Sequence, residues 1–206
     1  MVHAIPNGPA VDVDINGTDD FPDLSFGGFL PASGYTKVPS GSDTVNVYAT
    51  GTTTNPIVSS TASLNGSTQY TVVAAGVVNG SGTNAPALLQ FTDNNTAPTS
   101  GNVEFRVIHA APSAGPMDVY IVQPGTDITQ VNPPTFSGIA YTQASSNYFS
   151  AAAATYSVII TTSGSKAEYV VPQDYTLVAG QIRTFVLVDN PGGGYPPSWV
   201  ELNDLN

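Results

Sequence analysis

The sequence predicts an all-β chain built as two tandem immunoglobulin-like, Greek-key β-sandwich domains related by internal duplication. Three observations predict it. One motif occurs twice, far apart. Short apolar alternations recur between turn residues. Helix signals are thin, since Pro and Gly together supply 37 of 206 residues, and both work against helices.

The repeat comes first. Residues 2–15 read VHAIPNGPAVDVDI and residues 107–122 read VIHAAPSAGPMDVYIV. His3 and His109 are 106 residues apart, as are Pro6 and Pro112, Asp12 and Asp118, and Val13 and Val119. A period this long marks a duplicated domain rather than a solenoid. Further along the spacing becomes 113, which relates Tyr35 to Tyr148, Val45 to Val158, Val47 to Ile160, Leu64 to Leu177 and Thr71 to Thr184. About seven extra residues are therefore expected in the second copy, and residues 123–134 (QPGTDITQVNPP) are the natural place, because loops accept insertions at little cost. The expected domains are 1–95 and 103–206, joined by 96–102 within the polar stretch DNNTAPTSGN at 93–102. Each is of ordinary domain size and can bury its own core.

Strands are read from period-two alternation and β-branched or aromatic content. In the first copy they are expected at 11–15, 45–49, 57–60, 69–75 and 87–91. In the second they are expected at 103–109, 118–122, 156–162, 167–171, 183–188 and 198–202. The alanine run at 151–154 is too short to nucleate a helix and leads straight into a strand. The second copy has residues 102–106 (NVEFR) ahead of its motif, whereas the first copy starts at Met1 and has no counterpart of them. Either residues were removed there or the mature chain begins at that point.

Charge narrows the function. Lys37, Arg106, Lys166 and Arg183 are the only basic residues, against 15 acidic ones, for a net charge of −11. No basic stripe exists to hold nucleic acid or an anionic lipid surface. No apolar run is long enough for a membrane span. There is no cysteine, hence neither disulfides nor thiol chemistry. Hydroxyls and amides carry the solubility, a composition typical of secreted or surface β-proteins. The expected location is extracellular or at the cell surface, with any signal peptide removed.

The two motif copies resemble the DUF4397 repeat, whose pattern runs like R-V-V-H-A-S-P-x-A-P-x-V-D-V-Y, then a Tyr before a Gly-containing turn, an apolar strand and a segment like Y-T-V-V. This chain supplies Tyr35, Pro39 to Gly41, Val45 to Val47 and Tyr70 to Val73 in that order. The resemblance implies a secreted or surface β-sandwich module, often in tandem, and implies no activity.

Candidate sites remain to be weighed. His3 with Asp12 and His109 with Asp118 recur together. As metal half-sites they fall short, because zinc takes three or four protein ligands and the chain has two histidines. The better reading is structural: the aspartate caps backbone N–H groups in the proline bend and the imidazole fixes the strand end. Asp19, Asp20 and Asp23 sit in NGTDDFPD and could offer oxygens to calcium, but such a site needs more converging oxygens, so a solvated acidic loop is the expectation. No Gly-x-Ser-x-Gly elbow, phosphate loop or dinucleotide fingerprint is present. All three glutamates fall in the second copy and in strand patterns, so no paired carboxylates for glycosidase chemistry are in view. No enzyme activity and no cofactor are expected. Sequons stand at Asn16, Asn65, Asn79 and Asn94 and are only permissive. Tyr195 and Trp199 are the candidate exposed aromatics for stacking on a sugar.

Two function classes are left. One is a structural or adhesive surface protein that associates with itself or other surface proteins, with the open edge of the first domain completed by a neighbour's strand to build a filament. The other is a carbohydrate- or polymer-binding module.

Overall fold

The computed structural model describes residues 1–167 and 172–205. Strands make up 46% of the chain and helix 3%, so every layer is a sheet. The first half contains β1 (Val2–Ala4), β2 (Val11–Ile15), β3 (Thr18–Leu24), β4 (Gly41–Ala49), β5 (Val58–Leu64), β6 (Tyr70–Ala75) and β7 (Ala87–Thr92). The second contains β8 (Asn102–His109), β9 (Met117–Val122), β10 (Phe136–Ile139), β11 (Phe149–Ala152), β12 (Thr155–Thr162), β13 (Gln173–Thr176), β14 (Ile182–Val188) and β15 (Ser198–Leu205).

These form four sheets, in the orders β3-β2-β4-β5, β1-β6-β7, β11-β8-β14-β15 and β10-β9-β12-β13. The halves repeat one strand order. β1 runs parallel to β6 just as β8 runs parallel to β14. Register repeats as well: Val13 pairs with Val47, and Val119 with Ile160. The change in spacing is not a single insertion, however. Phe21 pairs with Val13, and Phe136 with Val119, so the spacing has already reached 115 at β10. The long loop after β9 carries nine extra residues, and the second half has two fewer before Tyr148. The loop is not idle: Ile128 buries itself against Tyr120 and Ile159 on the outer face of the sheet.

Three apolar layers separate the four sheets. Val11, Val13 and Ile15 alternate inward from β2 and meet Val45, Val47 and Ala74 in the first half. Phe105, Met117, Val119, Ile160 and Phe185 do the same in the second. Between the halves, Val2, Ala4, Val73 and Ala75 pack against Ile108, Val186, Val188 and Val200. This middle layer explains β14, whose seven residues are all buried: a sheet covered on both faces reads as a continuous apolar run. The segment at 93–102 is accordingly no solvated tether, since Asp93 and Pro98 are buried.

Strand β3 corrects the loop expected around Asp19, Asp20 and Asp23. Asn16 and Gly17, both at positive φ, make a two-residue hairpin turn, and the acidic stretch returns as an edge strand on β2. Of the strand expected at 167–171, residues 168–171 lie outside the described residues.

Candidate functional site

The halves differ at one place. In the second half β8 is eight residues long and enters the sheet between β11 and β14. Its residues 102–105 pair with β11, and its residues 104–109 pair with β14. Val103 and Phe105 point into the core, where Phe105 lies within 5.4 Å of Tyr156 and 6.2 Å of Phe185 between ring centres.

In the first half β1 is three residues long, and its ladder with β6 begins only at Val2 and Val73. Among the described residues, residues 70–72 of β6 therefore carry no strand partner on that side. Residues 36–39, which correspond to β11 at the 113 spacing, form no strand. The pairing partner that shapes β11 is what they lack.

What lies between is a groove of about 620 Å³. Val13, Ile15, Phe21, Val45 and Leu64 line it, with residues 36–39 and 70–72 along its sides. The Met1 ammonium closes one end by donating to the Leu30 carbonyl at 2.8 Å, and burial lowers its pKa to about 6. In strand order the groove stands at the place that β8, with Val103 and Phe105, takes in the other half.

Beside it is a buried charge cluster between the halves. Arg106 pairs with Asp93 at 2.7 Å and approaches Asp204 at 3.6 Å. Its Nε donates to Thr184 Oγ1 and its Nη2 to Thr71 Oγ1. Thr71 and Tyr35 both donate to Asp93, and Thr184 donates to Asp204. Burial, opposed in part by Arg106, raises the Asp204 pKa to about 6. Two carboxylates thus share one guanidinium.

The repeated His and Asp prove to be separate devices. His3 donates from Nε2 to the Pro9 carbonyl at 2.8 Å and accepts the Ile5 N–H at Nδ1. His109 does the same with the Gly115 carbonyl and the Ala111 N–H. This assigns the neutral Nε2–H tautomer, and burial holds both pKa values below the usual histidine range. Each ring staples its own proline bend. The aspartates do not cap that bend. Asp12 accepts the N–H groups of Asp23 and Gly51, each at 2.8 Å. Asp118 accepts those of Gly138 at 2.7 Å and Gly164 at 2.9 Å. Each carboxylate ties an edge strand to the turn that follows the central strand, and neither bonds to a histidine.

A family model described as a domain of unknown function, DUF4397, matches residues 1–120, from the first His/Asp signature through the second. The chain belongs to this family. A comparison with curated proteins found no match.

In this DUF4397 protein the other candidates are scattered. Among the described residues, no three histidine or acidic side chains gather to hold a metal. Asp19, Asp20 and Asp23 are spread along β3, and burial together with repulsion from Asp12, Asp14 and Asp20 raises the Asp19 pKa. Asn16, Asn65, Asn79 and Asn94 are all exposed, but the Asn16 side chain is engaged, donating to Asp43 and accepting the Thr44 N–H. Tyr195 is 62% exposed, whereas Trp199 is half-buried and packs against the core beside Phe185. Strand alternation on β15 sets the Trp199 ring on the face that packs against Phe185, so it is less exposed than expected. The charge cluster was the feature sequence reading missed, whereas the open edge of the first half was expected from the unmatched NVEFR segment at 102–106.

Proposed function

We propose that this DUF4397 protein is a non-enzymatic, extracellular or cell-surface structural protein whose first half accepts a β-strand from a neighbouring subunit. The reading rests on the groove between residues 36–39 and 70–72, apolar at its base and edged by backbone that, among the described residues, has no strand partner on the groove side. Strand addition uses such an edge for affinity and such pockets for side-chain specificity. A head-to-tail contact of this kind does not close on itself, so repeated donation extends a filament.

The test is light scattering and electron microscopy of the purified protein across a range of concentrations. Linear oligomers are expected, shortened by excess free peptide NVEFRVIH, the sequence of residues 102–109. A strictly monomeric protein that also ignores the peptide would overturn the proposal.

A carbohydrate- or polymer-binding role draws on Tyr195, exposed in the loop at 192–197. With Trp199 turned inward, a stacking platform there has one ring of the two expected. A glycan array with wild type and Tyr195→Ala distinguishes the readings, since binding lost with that ring would favour the glycan role.

A further inference from the structure

One long stretch of this acidic chain carries no charge. Residues 44–92 contain no Asp, Glu, Lys, Arg or His, although the whole chain has a net charge of −11. The stretch supplies β5, β6, β7 and most of β4. β5 and β7 end their sheets on the same side of the first half, where the Gln90 amide donates to the Ser63 carbonyl at 3.1 Å. Both edge strands of that side are therefore neutral.

β7 is the apolar one of the two. Its six residues, ALLQFT, pair with β6 without a register shift and include no Pro, Gly or charge. Other edges carry the features that discourage further pairing. β3 has Asp19, Asp20, Pro22 and Asp23 and shifts register against β2. β15, the twin of β7, has Glu201 and Asp204 and shifts register against β14. Gln90 stands opposite Val72 where Glu201 stands opposite Phe185. The Asp93 N–H donates to the Gln69 carbonyl at 2.9 Å, so antiparallel alternation turns the backbone of Phe91 and Leu89 toward β6 and that of Gln90 and Leu88 outward. Among the described residues no strand takes those outward groups. Leu88, Leu89 and Phe91 are only half-buried.

We propose that two copies of this chain associate through β7, which pairs antiparallel with the β7 of the second copy across a twofold axis at Leu89. Leu88 and Gln90 then exchange backbone hydrogen bonds with Gln90 and Leu88 of the partner subunit. Phe91 lies opposite the partner's Ala87, whose methyl leaves room for the ring. Charge selects a second copy as the occupant. Two chains of this net charge repel where their carboxylates meet, and this edge lets them touch with no carboxylate on either strand. The contact is isologous and closes as a pair. It lies on a different strand edge from the groove and does not rest on strand acceptance there.

The test is sedimentation velocity of the intact protein over a range of concentrations, with excess peptide NVEFRVIH present to occupy the groove. A monomer–dimer equilibrium is expected. Ala87→Glu and Gln90→Glu are each expected to weaken it about tenfold or more, since they bring like charges together across the axis. Ser198→Glu, at the place on β15 that Ala87 has on β7, is expected to leave it unchanged. An unaltered denaturation midpoint in Ala87→Glu separates a lost contact from a lost fold. The chain has no cysteine, so Leu89→Cys is expected to give a disulfide-linked dimer on oxidation, and Ser198→Cys none. A dimer with these properties supports the inference whether or not the groove accepts a strand. A protein that stays monomeric with the peptide present, or a dimer as tight in Ala87→Glu as in wild type, would overturn it. Oligomers that the peptide abolishes and Ala87→Glu leaves intact would also overturn it, while leaving strand acceptance standing.

Discussion

The Arg106 guanidinium reaches out of its own half of the chain to lie 2.7 Å from the Asp93 carboxylate, and both side chains are almost wholly buried. This contact, together with the Arg106 bonds to Thr71 and the Thr92 carbonyl, couples the halves by charge where the middle layer couples them by apolar contact. Replacing Arg106 with Leu removes from the buried Asp93 and Asp204 the guanidinium they share. A loss of about 3–5 kcal/mol is expected, the usual cost of removing one partner from a buried pair. Urea denaturation at neutral pH measures it.

Asp204 gives the molecule a pH dependence of definite sign. Burial raises its folded pKa to about 6 from 3.8, with Arg106, Thr184 and Arg183 opposing and Asp93 adding to the rise. The folded state then holds the proton more tightly than the unfolded state. Its contribution is full below about pH 4 and is lost as pH rises through 6, amounting to about 2–3 kcal/mol. Wild type is expected to lose stability relative to Asp204→Asn between pH 4 and 7, as read from denaturation midpoints. A constant difference across that range would contradict the assignment.

The two histidines work in the opposite direction. Burial lowers the pKa of His3 and His109 from 6.5, so the unfolded state takes up protons first on acidification. Their contribution is present above about pH 6.5 and declines as pH falls below it. His109→Gln keeps a donor and an acceptor but does not titrate, so its stability relative to wild type should improve steadily from pH 7 to pH 5.

Asp12 and Asp118 make equivalent pairs of bonds, but Asp118 is 5% exposed while Asp12 is only half-buried. Water can replace Asp12 and has little access to Asp118. Asp118→Ala is expected to cost about 2–4 kcal/mol by stranding the N–H groups of Gly138 and Gly164, and Asp12→Ala clearly less. Hydrogen exchange at Gly164 should accelerate in the Asp118 variant.

Phe105 and Trp199 test the core. Phe105→Ala is expected to cost about 3–5 kcal/mol, since it opens a cavity in the core beside Tyr156 and Phe185. Trp199→Ala should destabilise by removing a ring packed on Phe185, and Tyr195→Ala should lower the denaturation midpoint clearly less.

Much of this architecture is legible in the residues alone. VDVDI alternates cleanly, and β2 occupies the five positions expected. RTFVLV ends in the apolar run Phe185 to Val188, and β14 is a central strand. β3 was hidden because an edge strand with one dry face needs few apolar residues, and Thr-Asp-Asp-Phe-Pro-Asp-Leu buries only Phe21 and Leu24. β11 was hidden for a different reason. Its pairing depends on β8, and residues 36–39, the corresponding segment, form no strand where that partner is not beside them.

The amino-acid order by itself determined that one unit is written twice, that its layers are sheets, and that a histidine and an aspartate recur with each copy. Those are local patterns, carried by spacing and alternation. Tertiary structure alone decided that the histidine and aspartate serve different loops, that Trp199 faces inward, and that Tyr35 and Tyr148 have unlike surroundings. The physical reason is that burial and charge balance depend on which strand lies alongside, and residues 70–72 pair with β7 on one side while, among the described residues, no strand lies on the other.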